Sequence, residues 1–225
     1  MTKHRAISGE TTIAGKRVGS MTRRSALLSL GAVALGGCTL SVPGPKLRAA
    51  YGARVDGGFN LPAIPTNKVA EKYRRQRVDF KTKHKPGTII VSTKERLLWL
   101  VEPNGTAMRY GIGVGKQGFS WSGNARVGWK REWPTWTPPA RMIGRRPELA
   151  KWRGGMPGGP SNPLGARALY RMKGGRDTLY RIHGSPEWWS IGTRASSGCI
   201  RLINQDIIDL YDRVKPGAKV VVRQG

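Results

Sequence analysis

At 225 residues the chain has room for one ordinary domain and a tail, and a hydrophobic content of 38% is enough for a core. The 31 glycines and 15 prolines demand many turns and exclude a helical bundle, while two cysteines, Cys38 and Cys199, exclude a disulfide framework. A formal net charge of +27 calls for an anionic partner. No nucleic-acid-binding motif accompanies it, so a cell wall or membrane is expected and nucleic acid is not. The charge is not confined to a tail, because residues 86–225 carry 23 Lys and Arg against 9 Asp and Glu.

The N-terminus reads as an export signal. Thr22-Arg23-Arg24-Ser25 precedes the apolar run Ala26 to Leu35, and Leu35-Gly36-Gly37-Cys38 closes it. The run is about ten residues, half the roughly 20 needed to span a bilayer. Arg23-Arg24 resembles a twin-arginine signal, and the four residues ending in Cys38 resemble a lipobox. This implies cleavage before Cys38, its lipidation, and a periplasmic or cell-envelope location, anchored to a membrane through lipid. Thr39 after that cysteine points to outer-membrane sorting. Translation can start at Met1 or at Met21.

Residues 1–38 are thus expected as extension and signal, 39–85 as a tether, and 86–225 as the catalytic domain. Pro43, Pro45, Pro62 and Pro65 break periodicity in the tether, Gly57-Gly58 adds slack, and Lys68 to Lys85 is a basic, solvated run.

From Pro86 the pattern is mainly β with short helices, as in a β-sandwich or a mixed β fold. Thr88–Ser92, Arg96–Glu102 and Ala107–Val114 read as a meander, with Pro103-Asn104-Gly105 as a turn. Ala125–Trp133 follows. Pro147–Arg153 is a short helix candidate, and Gly154–Gly165, with five glycines and three prolines, is a loop of the kind that forms lids. Ala166–Arg171 and Thr178–Ile182 are further strands. Asn204 is expected to cap a helix whose face is Ile207, Leu210, Tyr211 and Val214, and Lys219–Arg223 is a closing strand. Of the tryptophans, Trp129 and Trp133 are expected to pack internally. Trp136, Trp188 and Trp189, beside prolines or a histidine loop, are expected to wall a groove for substrate.

The chemistry concentrates in Ile182-His183-Gly184 and Ser196-Ser197-Gly198-Cys199-Ile200-Arg201-Leu202. A thiol is only a few per cent thiolate at pH 7, so a nucleophilic cysteine needs a base or a cation beside it. His183 can be that base. Gly198 lets the chain turn into Cys199, freeing backbone N–H groups for an oxyanion. Gly184 and Ser197 support the same loops. Arg201 can support the loop or meet a substrate carboxylate, with a salt bridge to Asp206 or Asp209 as the structural alternative. Glu187 or a backbone carbonyl would orient His183. With only three histidines in the chain and no second cysteine in the domain there is no zinc-ligand cluster, and the chemistry needs no cofactor or metal.

His-Gly followed by Ser-x-Gly-Cys-Ile-Arg-Leu resembles the signature of the L,D-transpeptidase catalytic domain, a YkuD-like fold. The likeness extends through Glu132-Trp133-Pro134-Thr135-Trp136-Thr137-Pro138-Pro139 and Pro157-Gly158-Gly159-Pro160-Ser161-Asn162-Pro163-Leu164-Gly165. The resemblance implies that Cys199 attacks the diaminopimelate–D-alanine bond of a peptidoglycan tetrapeptide stem. The thioester then passes to an amine of another stem or of an outer-membrane protein. Transfer to water would make the enzyme an L,D-carboxypeptidase. A non-catalytic wall-binding lipoprotein is the rival from another class.

Overall fold

A computed structural model describes residues 49–115, 122–195 and 199–224, with no side-chain detail for Arg194 and Ala195. The expectations for the signal, Cys38, Ser197 and Gly198 fall outside these residues.

In chain order the strands are β1 (Arg54–Asp56), β2 (Phe59–Leu61), β3 (Gln76–Asp79), β4 (Ile89–Ser92), β5 (Leu97–Val101), β6 (Thr106–Gly111), β7 (Gly113–Gly115) and β8 (Gly123–Glu132). Helix α1 (Ala140–Arg145) and a 3-10 stretch, Pro147–Trp152, come next. Then follow β9 (Arg167–Lys173), β10 (Arg176–Ser185), β11 (Arg194–Ala195), β12 (Ile200–Ile203), helix α2 (Asn204–Arg213) and β13 (Lys219–Arg223). The chain is therefore mainly β with short helices, as the sequence indicates.

β1 and β2 form a separate hairpin. The other strands make one mixed sheet in the order β11-β7-β12-β10-β9-β8-β13-β4-β5-β6-β3. Parallel pairing joins β10 to β12, β13 to β4 and β11 to β7, and the remaining neighbours are antiparallel. One face of this sheet supplies a single core. Ile89 and Val91 of β4, Leu98 and Leu100 of β5, Val127, Leu169, Ile182, Leu202, Val220 and Val222 all join it. Side chains from strands so far apart can meet only if the sheet curls, and α2 fills the space with Ile207, Leu210 and Val214. The β5–β6 turn is sharp because Asn104 and Gly105 both have positive φ, 60° and 71°, the two-residue pattern that matches strand twist.

Residues 49–85 are not a tether where the structure describes them. β3 pairs with β6 and closes one edge of the main sheet. Tyr51, Val69 and Tyr73 are buried with Ile191 and Ile203 of the domain. The Tyr51 hydroxyl donates to Asp206 Oδ2 at 3.0 Å and accepts from the Arg75 N–H at 2.7 Å. Gln205 Nε2 donates to the Pro62 carbonyl at 2.9 Å. Arg167 grips Asp56 through both terminal nitrogens, at 2.7 and 3.0 Å, and Trp133 Nε1 donates to the same carboxylate. Prolines and charge conceal this in the sequence because only a few apolar anchors are needed to fix a segment to an existing core.

Three smaller expectations also change. Asn204 does not cap α2; it is the first helical residue, and its Oδ1 accepts the Ala166 N–H at 3.0 Å instead. Trp129 is not internal, since it is 37% exposed and stacks on Tyr170 across the β8–β9 pair. Pro147–Trp152 winds as a 3-10 stretch, not an α-helix.

Candidate active site

β10 carries His183, and Cys199 stands directly before β12. In their parallel register Ile182 lies opposite Ile200 and His183 opposite Arg201. Ile182 and Ile200 belong to the core, so the alternation of side chains sends Arg181, His183 and Arg201 to the other face. Cys199 immediately precedes β12, one step back along the register, which puts it beside Arg181. Continued by one residue, the register makes Cys199 and His183, the candidate nucleophile and base, diagonal neighbours on one face.

His183 is only 3% exposed. Its Nδ1 faces the carbonyl of Gly184 within hydrogen-bonding reach, which assigns the proton to Nδ1 and the lone pair to Nε2. The orienting group is therefore a backbone carbonyl. Glu187 is engaged elsewhere, at 2.7 Å from Arg201 Nη1. That pair replaces the bridges to Asp206 and Asp209 considered from sequence. Burial lowers the His183 pKa from 6.5 to about 4, against the favourable carbonyls of Gly184 and Leu164, and the Arg201 and Arg181 charges push the same way.

Cys199 is partly exposed and not in a disulfide. Burial raises its pKa above the ordinary thiol value, opposed by the Arg181 backbone N–H and by the charges of Arg181, Arg171 and Arg201. Arg171, 2% exposed, is itself lowered to about 10 by burial while the neighbouring sulfur holds it up. It shares a strand face with Leu169 of the core, so it approaches from the core side. At neutral pH the resting pair is a neutral thiol beside a neutral imidazole, within reach of three guanidinium groups.

The loop after α1 supports this arrangement. Asn162 has no exposed surface; its Nδ2 donates to the carbonyls of Pro134, Met156 and Pro157 at 2.9 to 3.1 Å. Its Oδ1 accepts the Leu164 N–H at 2.8 Å. Gly165 has φ of 61°, and a side chain there or at Gly184 would strike Asn204 Oδ1. Gly184 therefore acts through close packing of the loop on β10, as well as through its carbonyl. Trp136 is tied into the loop by a two-way backbone bridge to Met156. Trp188 packs on the Tyr51–Ile203 cluster, while Trp189 stands 62% exposed with its ring edge-on to Trp188. Among the described residues, no group of three His, Cys, Asp or Glu side chains is placed to hold a metal ion.

Residues 86–222 match the model of the YkuD family, described as the L,D-transpeptidase catalytic domain. The chain belongs to this family.

The match spans β4 through β13 and includes His183 and Cys199. Similar curated proteins are the probable L,D-transpeptidase YbiS of Escherichia coli K12, 37% identical over 145 residues, and the probable L,D-transpeptidase ErfK/SrfK of the same strain, 39% identical over 142. Each alignment covers 60% of this chain and 43% of the relative, so the match spans under half of either relative's length. A crystal structure described as a probable carnitine operon oxidoreductase from Brucella melitensis is 52% identical, covering 69% of this chain and 96% of that one at a TM-score of 0.49. The family boundary falls at residue 86, yet the folded unit extends upstream through β3 and the Tyr51 cluster.

Sequence reasoning missed Asn162, Arg171 and Arg181. Asn162 lies among prolines and glycines and reads as a turn residue. Arg171 and Arg181 enter the sequence reading only as parts of the strands Ala166–Arg171 and Thr178–Ile182. Their spacing on β9 and β10 relative to Leu169 and Ile182 is the signal that could have found them.

Proposed function

We propose that the protein is a peptidoglycan L,D-transpeptidase of the cell envelope, exported and lipid-anchored through Cys38. What supports the reading is the β10–β12 register, which continued by one residue sets Cys199 diagonal to His183, together with the Gly184 carbonyl that sets the imidazole tautomer. The donor is a tetrapeptide stem, cut after diaminopimelate.

As Cys199 Sγ bonds to the diaminopimelate carbonyl carbon, its proton passes to His183 Nε2. An imidazole held near 4 is neutral at pH 7 and free to accept. The imidazolium exists only during turnover, and the Gly184 carbonyl stabilises it. Backbone N–H groups of Gly198 and Cys199 take the developing oxyanion, with Ser197 supporting the loop. Collapse breaks the C–N bond, and His183 returns the proton to the departing D-alanine amine. An acceptor amine then attacks the thioester while His183 takes its proton, and the thiol is regenerated. Arg201, held by Glu187, and Arg171 supply positive charge beside the sulfur throughout. Trp136, Trp188 and the exposed Trp189 would contact substrate.

Incubation with purified tetrapeptide muropeptides followed by mass analysis tests this. The expected products are free D-alanine and a stem-to-stem cross-link. Tripeptide with no cross-link would make water the acceptor, and unchanged substrate would contradict the proposal.

A further inference from the structure

A row of side chains runs outward from the nucleophile across four neighbouring strands. Cys199 lies beside Arg181 of β10, Arg181 is paired with Tyr170 of β9, and Tyr170 is paired with Trp129 of β8. All point to the face that carries His183. The contacts are continuous. The Arg181 guanidinium sits 4.4 Å from the Tyr170 ring centroid, and the Tyr170 and Trp129 rings stack at 4.8 Å with planes 16° apart. Asp177 fixes the head of Arg181 through two 2.7 Å contacts, so the stack has a rigid inner end. At its outer end Tyr170 covers one face of Trp129, and the indole is still 37% exposed.

We propose that the Arg181–Tyr170–Trp129 row is a subsite for the sugar of the substrate, with a pyranose ring stacking on Trp129. This deepens, and rests on, the reading of the protein as a peptidoglycan transpeptidase. The argument is one of length. Strands stand about 4.8 Å apart, so Trp129, three steps from the Cys199 position, lies about 14 Å away. The scissile bond follows the third residue of the stem. Three extended residues reach about 10 to 11 Å, which brings the sugar-bearing end of the stem to the outer part of the row. An aromatic ring exposed there, braced from behind and apolar on its face, suits the C–H face of a sugar. The one charged member, Arg181, lies inward, held by Asp177.

The test is calorimetric titration of the Cys199→Ala protein, which cannot turn over, with disaccharide-tetrapeptide and with the sugar-free tetrapeptide. The sugar should improve affinity about tenfold, the size expected of one good stacking contact. Trp129→Ala should abolish that increment, Trp129→Phe should restore most of it, and Leu179→Ala, on an exposed residue outside the row, should leave it intact. Equal affinity for the two ligands, or an increment that survives Trp129→Ala, overturns the subsite while the transpeptidase reading stands. Binding of neither ligand overturns both.

Discussion

Two buried polar clusters in this molecule resolve the cost of burial in opposite ways. Around Asp206 the charges are matched. Its carboxylate, with no exposed surface, accepts from the Tyr51 hydroxyl and faces Arg75, which also reaches Asp209 at 3.3 Å. Around Cys199 the reactive side chains carry no charge, and the guanidinium groups pair away from them, Arg181 with Asp177 and Arg201 with Glu187. The arginines at 171, 181 and 201 surround a thiol and an imidazole that burial holds neutral. The first cluster welds residues 49–85 to α2. The second, in the proposed reading, holds the thiol and imidazole between which a proton would pass. A buried carboxyl among its own partners makes a joint, and a buried thiol and imidazole kept neutral beside paired guanidinium groups make a candidate site.

If that contrast holds, the largest effect belongs to the nucleophile. Cys199→Ser should fold with little change in stability and form no detectable cross-linked muropeptide, because a hydroxyl is far less ionised than a thiol. Wild-type product from this variant would remove Cys199 from the mechanism. His183→Ala should lower kcat by about 10²- to 10⁴-fold, the usual range for a lost acid–base group. Steady-state release of D-alanine measures it.

The matched cluster should respond in stability. Asp206→Ala removes the acceptor of a buried hydroxyl and the carboxyl group facing Arg75, so it should cost about 2 to 4 kcal/mol in urea unfolding at pH 7. A loss below about 0.5 kcal/mol, the scatter of neutral surface changes, would show that the joint carries no load.

A subtler separation comes from pH. Folding lowers His183 from 6.5 to about 4, so below pH 6.5 the unfolded chain takes up a proton that the folded chain refuses. Stability from this residue is complete above 6.5 and is lost as pH falls towards 4. Folding raises Asp206 from 3.8 to about 7, chiefly by burial, so its contribution is complete below 3.8 and is lost as pH rises through 7. The two slopes oppose each other between pH 4 and 6.5. Thermal melts of His183→Ala should therefore weaken with rising pH in that window, and those of Asp206→Asn should strengthen. Identical pH profiles in the two variants would contradict the assignment.

The legible and illegible parts of the sequence divide along the same line. The strands from Ile89 to Val222 announce themselves through β-branched runs and the Asn104-Gly105 turn, and the His183 and Cys199 words point to one site. What could not be read depends on partners remote in sequence. Tyr51 gains its meaning from a carboxylate 155 residues away, Asn162 from three carbonyls of a folded loop, and Arg171 from the sulfur near it in space. Asn204 shows the hazard of local rules, since its side chain serves Ala166 and not its own helix. Trp129 looked internal because an alternating strand predicts burial, but a register shift between Val127 and Trp129 turns it outward.

The central claim is that Cys199 is a nucleophile activated by His183. Its most direct measurement is the intact mass of the protein after exposure to a carbapenem, whose strained carbonyl can acylate the same sulfur without expelling a small leaving group. The expected result is one adduct of full drug mass per chain, mapped by peptide mass analysis to Cys199 and formed far more slowly in His183→Ala. An adduct on another residue, or equal rates with and without His183, would contradict it.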